Sequence, residues 1–244
     1  LRAFSLPWVV NSITVSNSPT PCKFKNFQLF GDLNSTGADL EVRDANIAGS
    51  IRVNQGGVKL TKSSIDKSVS INHSANASGL DTHAVILQTT IREKLTCKAK
   101  RSWICYNEIR YSTISGTSEI TGNIFNGLSK ATIGIELLAG ETQAVIRNNK
   151  ISSYKTSSSV DMNYSCIGIA VLENVKAEIL NNLIYDCHDT NGNGEVNKVG
   201  IGIYVESIAG TKIFGNIIYN CYVPSGSGAN PGNSMVWAPN QGVL

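Results

Sequence analysis

The side chains with the clearest chemical potential lie between residues 186 and 195. The run Asp189-Thr-Asn191-Gly-Asn193-Gly194-Glu195 places oxygen-bearing side chains at alternate positions ahead of a glycine. A hard cation wants several such oxygens, and the glycine permits the sharp turn that points them inward. The run is therefore a candidate calcium loop. Asp186, Asp189, Asn191, Asn193 and Glu195 form the candidate metal set, with Asp161 as a further source of a carboxylate. A surface turn rich in Asn and Gly needs the same residue types for its backbone alone, and that reading stays open. His188 stands between Asp186 and Asp189, where an imidazole can serve as ligand or base. A second group comprises Glu136, Glu173, Tyr204 and Glu206. Carboxylates beside an aromatic ring suit sugar binding and, at the right separation, glycoside hydrolysis. An ordinary solvated sheet carries the same residues. The run Arg92, Lys94, Lys98, Lys100, Arg101 suits an anionic polysaccharide or a merely soluble face, with Glu93 diluting its charge.

These residues must be positioned by something, and the chain supplies it by repetition. Leu40-Glu-Val-Arg-Asp-Ala-Asn-Ile47 matches Val58-Lys-Leu-Thr-Lys-Ser-Ser-Ile65 at an offset of 18 residues. The pair Ile51/Val53 recurs as Val69/Ile71 at the same offset. The unit is apolar-x-apolar-x-x-(small or Asn)-x-apolar. It returns at Ala84-x-Ile86…Ile91, Ile104…Ile109, Ile120…Phe125, Ile146…Ile151, Ile179…Ile184 and Ile213…Ile218. One position of the unit reads Ala45, Ser63, Thr89 and then Asn107, Asn123, Asn149, Asn182, Asn216. Ile133-Gly-Ile135, Ile167-Gly-Ile169 and Ile201-Gly-Ile203 form another series, 34 residues apart. Alternating apolar residues make strands with one buried face. Strands this short bury a core only by stacking on their neighbours. Stacking in parallel superimposes equivalent residues, so the isoleucines form apolar columns and the asparagines a ladder at a bend. Cys187 and Cys221 occupy equivalent positions in adjacent units, with Tyr154 one unit earlier.

The string Ile-x-x-Asn-x-Ile followed by Gly-Ile-x-Val resembles the repeat of the pectate-lyase-like right-handed β-helix superfamily, over about 180 residues. The resemblance implies an all-β fold: a right-handed, single-stranded parallel β-helix (solenoid) of about eight or more coils with three sheets. On it, Ile133–Leu138, Ile167–Leu172 and Ile201–Glu206 belong to the first sheet, and the Ile-x-x-Asn-x-Ile segments form the second sheet, the bend and the third sheet. The superfamily's polygalacturonase (Asn-Thr-Asp, Asp-Asp, Gly-His-Gly), pectate lyase (Arg-x-Pro-x-x-Arg) and alginate epimerase (Asp-Pro-His-Glu) signatures are absent. No catalytic residue carries over, and whether the chain is an enzyme stays open. The Asp189 run resembles the first half of an EF-hand loop, but its twelfth position is Gly200 and its flanks read as strands.

The division expected is an N-terminal irregular region or cap over 1–39, the β-helix over 40–221, and a C-terminal cap or linker over 222–244. A net charge of +3 with 16% charged residues gives no case for nucleic acid. No run approaches the roughly 20 apolar residues of a membrane span. The absence of Met at Leu1 reads as a mature form or a fragment. Six cysteines without metal-type spacing permit disulfides without demanding them. Insertions over 153–166, 186–199 and 222–236 should emerge at one corner and wall a groove on the first sheet. The function expected is that of an extracellular or surface domain binding a polysaccharide or glycan along that groove through Glu136, Glu173, Tyr204, Glu206 and His188, with polysaccharide lyase or hydrolase activity left open. Ca²⁺ is the cofactor the Asp189 loop would take. The alternative is a non-catalytic rod, adhesin-like or tail-spike-like, in a larger oligomeric surface assembly.

Overall fold

Short runs of alternating apolar residues cannot form stable sheets singly, and in this chain they form three parallel ladders. The computed structural model describes residues 11–72, 83–128, 131–140, 142–154, 166–187, 200–206 and 210–221, and the backbone of 236–237. Every regular element among the described residues is a strand, and all the pairings are parallel. The arrangement is compatible with a β-helix-like solenoid.

The first ladder runs Ser12–Ser16, Asp32–Thr36, Ile51–Asn54, Val69–Asn72, the middles of the long strands Thr90–Cys105 and Glu108–Thr121, then Ile133–Leu137, Cys166–Val171, Gly200–Val205 and Val236–Trp237. The second runs from Cys22–Lys25 through Leu40–Arg43, Val58–Thr61 and His83–Leu87 to Gln143–Arg147, Lys176–Leu180 and Lys212–Phe214. The third runs from Gln28–Leu29 to Ile124–Asn126, Lys150–Ser152, Leu183–Tyr185 and Ile217–Tyr219. Leu40 pairs with Val58 and Ile51 with Val69, the register that the 18-residue offset implies. Stacked pairing also extends ahead of Leu40, back to Ser12, although the repeat is hard to see there.

The interior consists of columns. Val42, Leu60, Ile86, Ile104, Ile120, Ile146 and Ile179 stack in register on the second ladder, each 0% exposed. Leu29, Ile47, Ile65, Ile91, Ile109, Phe125, Ile151 and Ile184 do the same on the third. Burying each such side chain contributes about 1.5–3 kcal/mol, opposed by the entropy of ordering it. Cys97 belongs to the interior too, and burial pushes its thiol up to about 11.

Between the second and third ladders the chain bends, and two residues make the bend. The first has a left-handed backbone in every rung: Asn26, Asp44, Lys62, Gln88, Tyr106, Gly122, Asn148, Asn181 and Gly215, with φ between 48° and 67°. The second is the ladder position. The left-handed residue is the one before the ladder position, not the ladder asparagine itself. The ladder asparagine instead turns its amide inward, where it is bonded on both sides. Asn107, Asn123, Asn149 and Asn182 are 3%, 1%, 2% and 1% exposed. From Asn123 on, each accepts at Oδ1 from both the backbone N–H and the Nδ2 of the asparagine one rung earlier, Asn107 accepts there from the Thr89 N–H, and each of the four donates from Nδ2 to an isoleucine carbonyl of the earlier rung. In the earlier rungs a hydroxyl does part of this work, as Ser63 Oγ accepts from the Ala45 N–H at 3.2 Å.

Candidate functional site

The face expected to bind sugar is largely covered. Glu136, Ala170 and Tyr204 do stack in one column of the first ladder, in register with Thr113. Tyr204, however, is only 7% exposed and packs with Ile167, Ala170 and Ile201 in a second apolar cluster. Strands Cys166–Val171 and Gly200–Val205 are buried throughout. The Ile-Gly-Ile repeats account for the apolar residues on this face. A Cβ on Gly168 would come 2.6 Å from Ile184 Cγ2 and 3.6 Å from Cys187 Sγ, so this position already faces the interior. The following Ile169 also belongs to the core, and Ile167 is left in the cluster on the other side. Alternation alone reads both isoleucines as inward; the glycine lets the strand break that rule.

Of the carboxylates of this face, Glu173 and Glu206 lie on adjacent rungs, and Glu136 stands apart from Glu206. Glu136 accepts a hydrogen bond from Thr113 Oγ1 at 3.0 Å. Glu206 is exposed, and its Oε2 accepts from the backbone N–H of Glu173 at 2.9 Å. Glu136 lies two rungs from the Tyr204 rung, roughly 10 Å at about 4.8 Å per rung. That exceeds the roughly 5–5.5 Å of a retaining pair and the roughly 6.5–9.5 Å of an inverting one.

Of the candidate calcium ligands, Asp186 is described. It has a left-handed backbone (φ 55°), and its Oδ1 accepts from Asn220 Nδ2 at 3.1 Å. Asp189, Asn191, Asn193, Glu195 and His188 lie outside the described residues. Among the described residues no group of three His, Cys, Asp or Glu side chains is placed to hold a metal ion. The basic run is split by the fold. Arg92 follows the third-ladder segment Thr90–Ile91 and forms an ion pair with Asp66 at 3.3 Å; Lys94 and Lys98 lie on the first ladder; Arg101 opens a second-ladder segment. Lys94 Nζ sits 5.8 Å from the centre of the Tyr111 ring.

The outward face of the third ladder brings together groups that the repeat did not single out. Tyr185 and Tyr219 are equivalent residues of adjacent rungs. Their rings stack at 5.1 Å with only 5° between planes. Lys150 Nζ lies 5.6 Å from the Tyr185 ring centre. A hydrogen bond with Ser152 and then the contact with Lys150 hold the Tyr185 hydroxyl below its ordinary range, and the Tyr185 hydroxyl in turn raises the Lys150 ammonium. Tyr219 is 46% exposed. The same column continues through Ser152 to Asn126. At Asn126 it reaches an open cleft of about 460 Å³ also lined by Thr90, Arg92, Glu108, Arg110 and Leu128, among others. Arg110 Nε is buried without a hydrogen-bond partner. The signal for the tyrosine pair was present in the sequence: Leu183-Ile-Tyr185 and Ile217-Ile-Tyr219 repeat at the 34-residue offset.

The chain matches no protein-family model, and no curated protein or solved structure is significantly similar to it. No helix of the described residues is long and apolar enough to cross a membrane.

Proposed function

We propose that the chain is a right-handed parallel β-helix domain of the pectate-lyase-like kind that binds a glycan at a cell surface or outside the cell, without cleaving it. The reading is carried by the outward column of the third ladder. Flat stacked tyrosines offer apolar faces with polar tips, Lys150 and Asn126 supply donors beside them, and Arg110 and Arg92 line the cleft that Asn126 borders. Ligand sites combine an apolar surface with a few placed polar groups in this way. The column spans four rungs from Asn126 to Tyr219, roughly 14 Å, and Asn126 borders the cleft lined by Arg92 and Arg110, which favours an extended chain over a single sugar. Binding without hydrolysis is the simpler reading because Glu136 and Glu206 are two rungs apart and the Glu206 carboxylate is engaged by the Glu173 backbone N–H. This moves the proposed site from the first sheet to the third.

The test is a glycan array followed by calorimetry on the hit. Tyr185→Ala and Tyr219→Ala should each weaken binding about tenfold, roughly 1.4 kcal/mol, with unchanged circular dichroism. An array on which no glycan class is retained refutes the reading, as does wild-type affinity in both variants.

A second reading, a structural rod within a larger surface or tail-spike-like assembly, is favoured by the last rung. There Ile213, Phe214 and Ile217 are 37%, 76% and 63% exposed. Sedimentation analysis showing a defined oligomer, with no glycan bound, would select it.

A further inference from the structure

Where the third ladder ends, the chain makes the same turn in three successive rungs. Ser153, Asp186 and Asn220 have left-handed backbones, with φ of 64°, 55° and 52°. Each is followed by a residue of the interior: Tyr154, Cys187 and Cys221, which are 0%, 0% and 2% exposed. The glycines of the first ladder lie beside this column. A Cβ on Gly134 would come 2.9 Å from Tyr154 Cε2, and one on Gly168 would come 3.6 Å from Cys187 Sγ.

Cys187 and Cys221 are both thiols here, and they hold the same conformation. Cys187 Sγ donates to the Tyr185 carbonyl at 3.7 Å, and Cys221 Sγ to the Tyr219 carbonyl at 3.5 Å. Tyr185 and Tyr219 are paired residues of adjacent rungs. Asn220 Nδ2 donates to Asp186 Oδ1 at 3.1 Å, which ties the two turns together next to the thiols. Equivalent residues of adjacent rungs stand about 4.8 Å apart. That lies within the roughly 4.4–6.8 Å between the Cα atoms of a disulfide, and slightly beyond the roughly 3.5–4.5 Å between its Cβ atoms. Turning the thiols off their carbonyls, with a small closure of the rungs, joins them. The other cysteines face different residue types in their ladders. Cys22 pairs with Leu40, Cys97 with Ile71 and Ile114, Cys105 with Leu87 and Thr121, and Cys166 with Gly200.

The two thiols differ in readiness to react. Their mutual hydrogen bond holds the Cys221 thiol below its ordinary range, while the same bond and then burial push that of Cys187 up. Sulfur attacks as thiolate, so Cys221 is the nucleophile of the pair.

We propose that Cys187 and Cys221 form a redox pair, which a low-molecular-weight disulfide oxidises to a cross-link between adjacent rungs. Cys221 Sγ attacks one sulfur of that reagent, breaks its S–S bond and releases one thiol. Cys187 Sγ then attacks Cys221 Sγ in the mixed disulfide and releases the second. Two cysteines are oxidised, one disulfide is reduced to two thiols, and the two cysteine protons leave on them. The cross-link joins the ends of the segment 187–221, two residues beyond each ring of the Tyr185–Tyr219 stack. It does not depend on glycan binding.

The test is incubation of the full chain with glutathione disulfide, then alkylation, non-reducing proteolysis and mass spectrometry. One link, Cys187 to Cys221, is expected, with a chain lighter by two hydrogens and full reversal by dithiothreitol. Closing about 35 residues restricts the unfolded chain, so the oxidised form should melt about 5–10 °C higher. In Cys187→Ser a mixed disulfide with glutathione should accumulate on Cys221; in Cys221→Ser none should form on Cys187. A link from Cys187 to Cys166, whose charge Cys187 also feels, overturns the proposal. So does a link that forms only in urea, or an oxidised chain that melts no higher than the reduced one. The wild-type map decides even where a variant fails to fold.

Discussion

Replacing Asn149 by alanine tests the bend at its most connected point. Its Oδ1 accepts from Asn123 N–H and Asn123 Nδ2, both at 2.9 Å, and its Nδ2 donates to the Ile120 carbonyl at 2.8 Å and to Asn182 Oδ1 at 3.0 Å. Asn149→Ala removes all four. Asn182 Oδ1 retains one donor, because the backbone N–H of residue 149 still reaches it at 3.0 Å. The Asn123 N–H, one hydrogen of its Nδ2 and the Ile120 carbonyl are stranded in the interior. At about 1 kcal/mol net per lost bond the cost is about 4 kcal/mol, and stranded groups raise it unless water enters the space left. Asn216→Ala removes three comparable bonds to the preceding rung, but beside solvent, where water replaces the lost partners. Its expected cost is about 1–2 kcal/mol. Urea unfolding followed by far-ultraviolet circular dichroism, with unchanged m, measures both. A loss below about 1 kcal/mol at Asn149, or equal losses at the two positions, refutes the assignment of the ladder as an interior hydrogen-bond chain.

Further outcomes follow from other elements. Lys62→Gly should stabilise by about 1 kcal/mol, because Lys62 is exposed and held at φ 48°, a conformation glycine adopts freely; a fall in melting temperature would contradict this. Tyr154→Phe should cost about 1–1.5 kcal/mol in the same urea assay, since the buried hydroxyl donates to the Arg110 carbonyl at 2.6 Å. Asp32 accepts from the Ser50 N–H at 2.7 Å and from Arg52 at 2.6 Å, which hold its carboxyl below 3.8. A depressed folded-state value contributes stability above the unfolded value and loses it as pH falls through the folded one. Asp32→Asn should therefore lower the melting temperature at about pH 7 and leave it unchanged near pH 2; equal drops at both would count against it. Cys97, with its thiol at about 11, should resist iodoacetamide at about pH 8 until the chain is unfolded; native labelling would show that the site opens.

The strands and their register were legible because equivalent residues recur at fixed offsets. Leu40 opposite Val58 and Ile133 beside Ile167 beside Ile201 are read directly from spacing. The ladder from Asn107 to Asn216 was legible for the same reason. The left-handed position was not, because it is filled by Asp44, Lys62, Gln88 and Tyr106 as well as by Asn and Gly. Stacking enforces that conformation against residue preference, so local composition does not report it. The covering of Tyr204 was also hidden. Alternation shows which face of a strand is apolar, but Ile-Gly-Ile makes both faces apolar by breaking the alternation at the glycine. For the candidate site, the paired Ile-Tyr repeats were visible, but the closeness of the two rings depends on the 5.1 Å stacking of adjacent rungs.

The ladder has a direction with a consequence for synthesis. From Thr89 onward, each bend draws its acceptor from the rung that follows it in the chain. A ribosome delivers rungs in that same order. Hydrogen-bond closure therefore trails translation by one rung, and the newest bend is the one with amides still bound to water. Growth of this kind resembles a one-way zipper: the unfinished portion stays the same size however long the chain becomes, and each closure fixes a bend that no later segment needs to reopen.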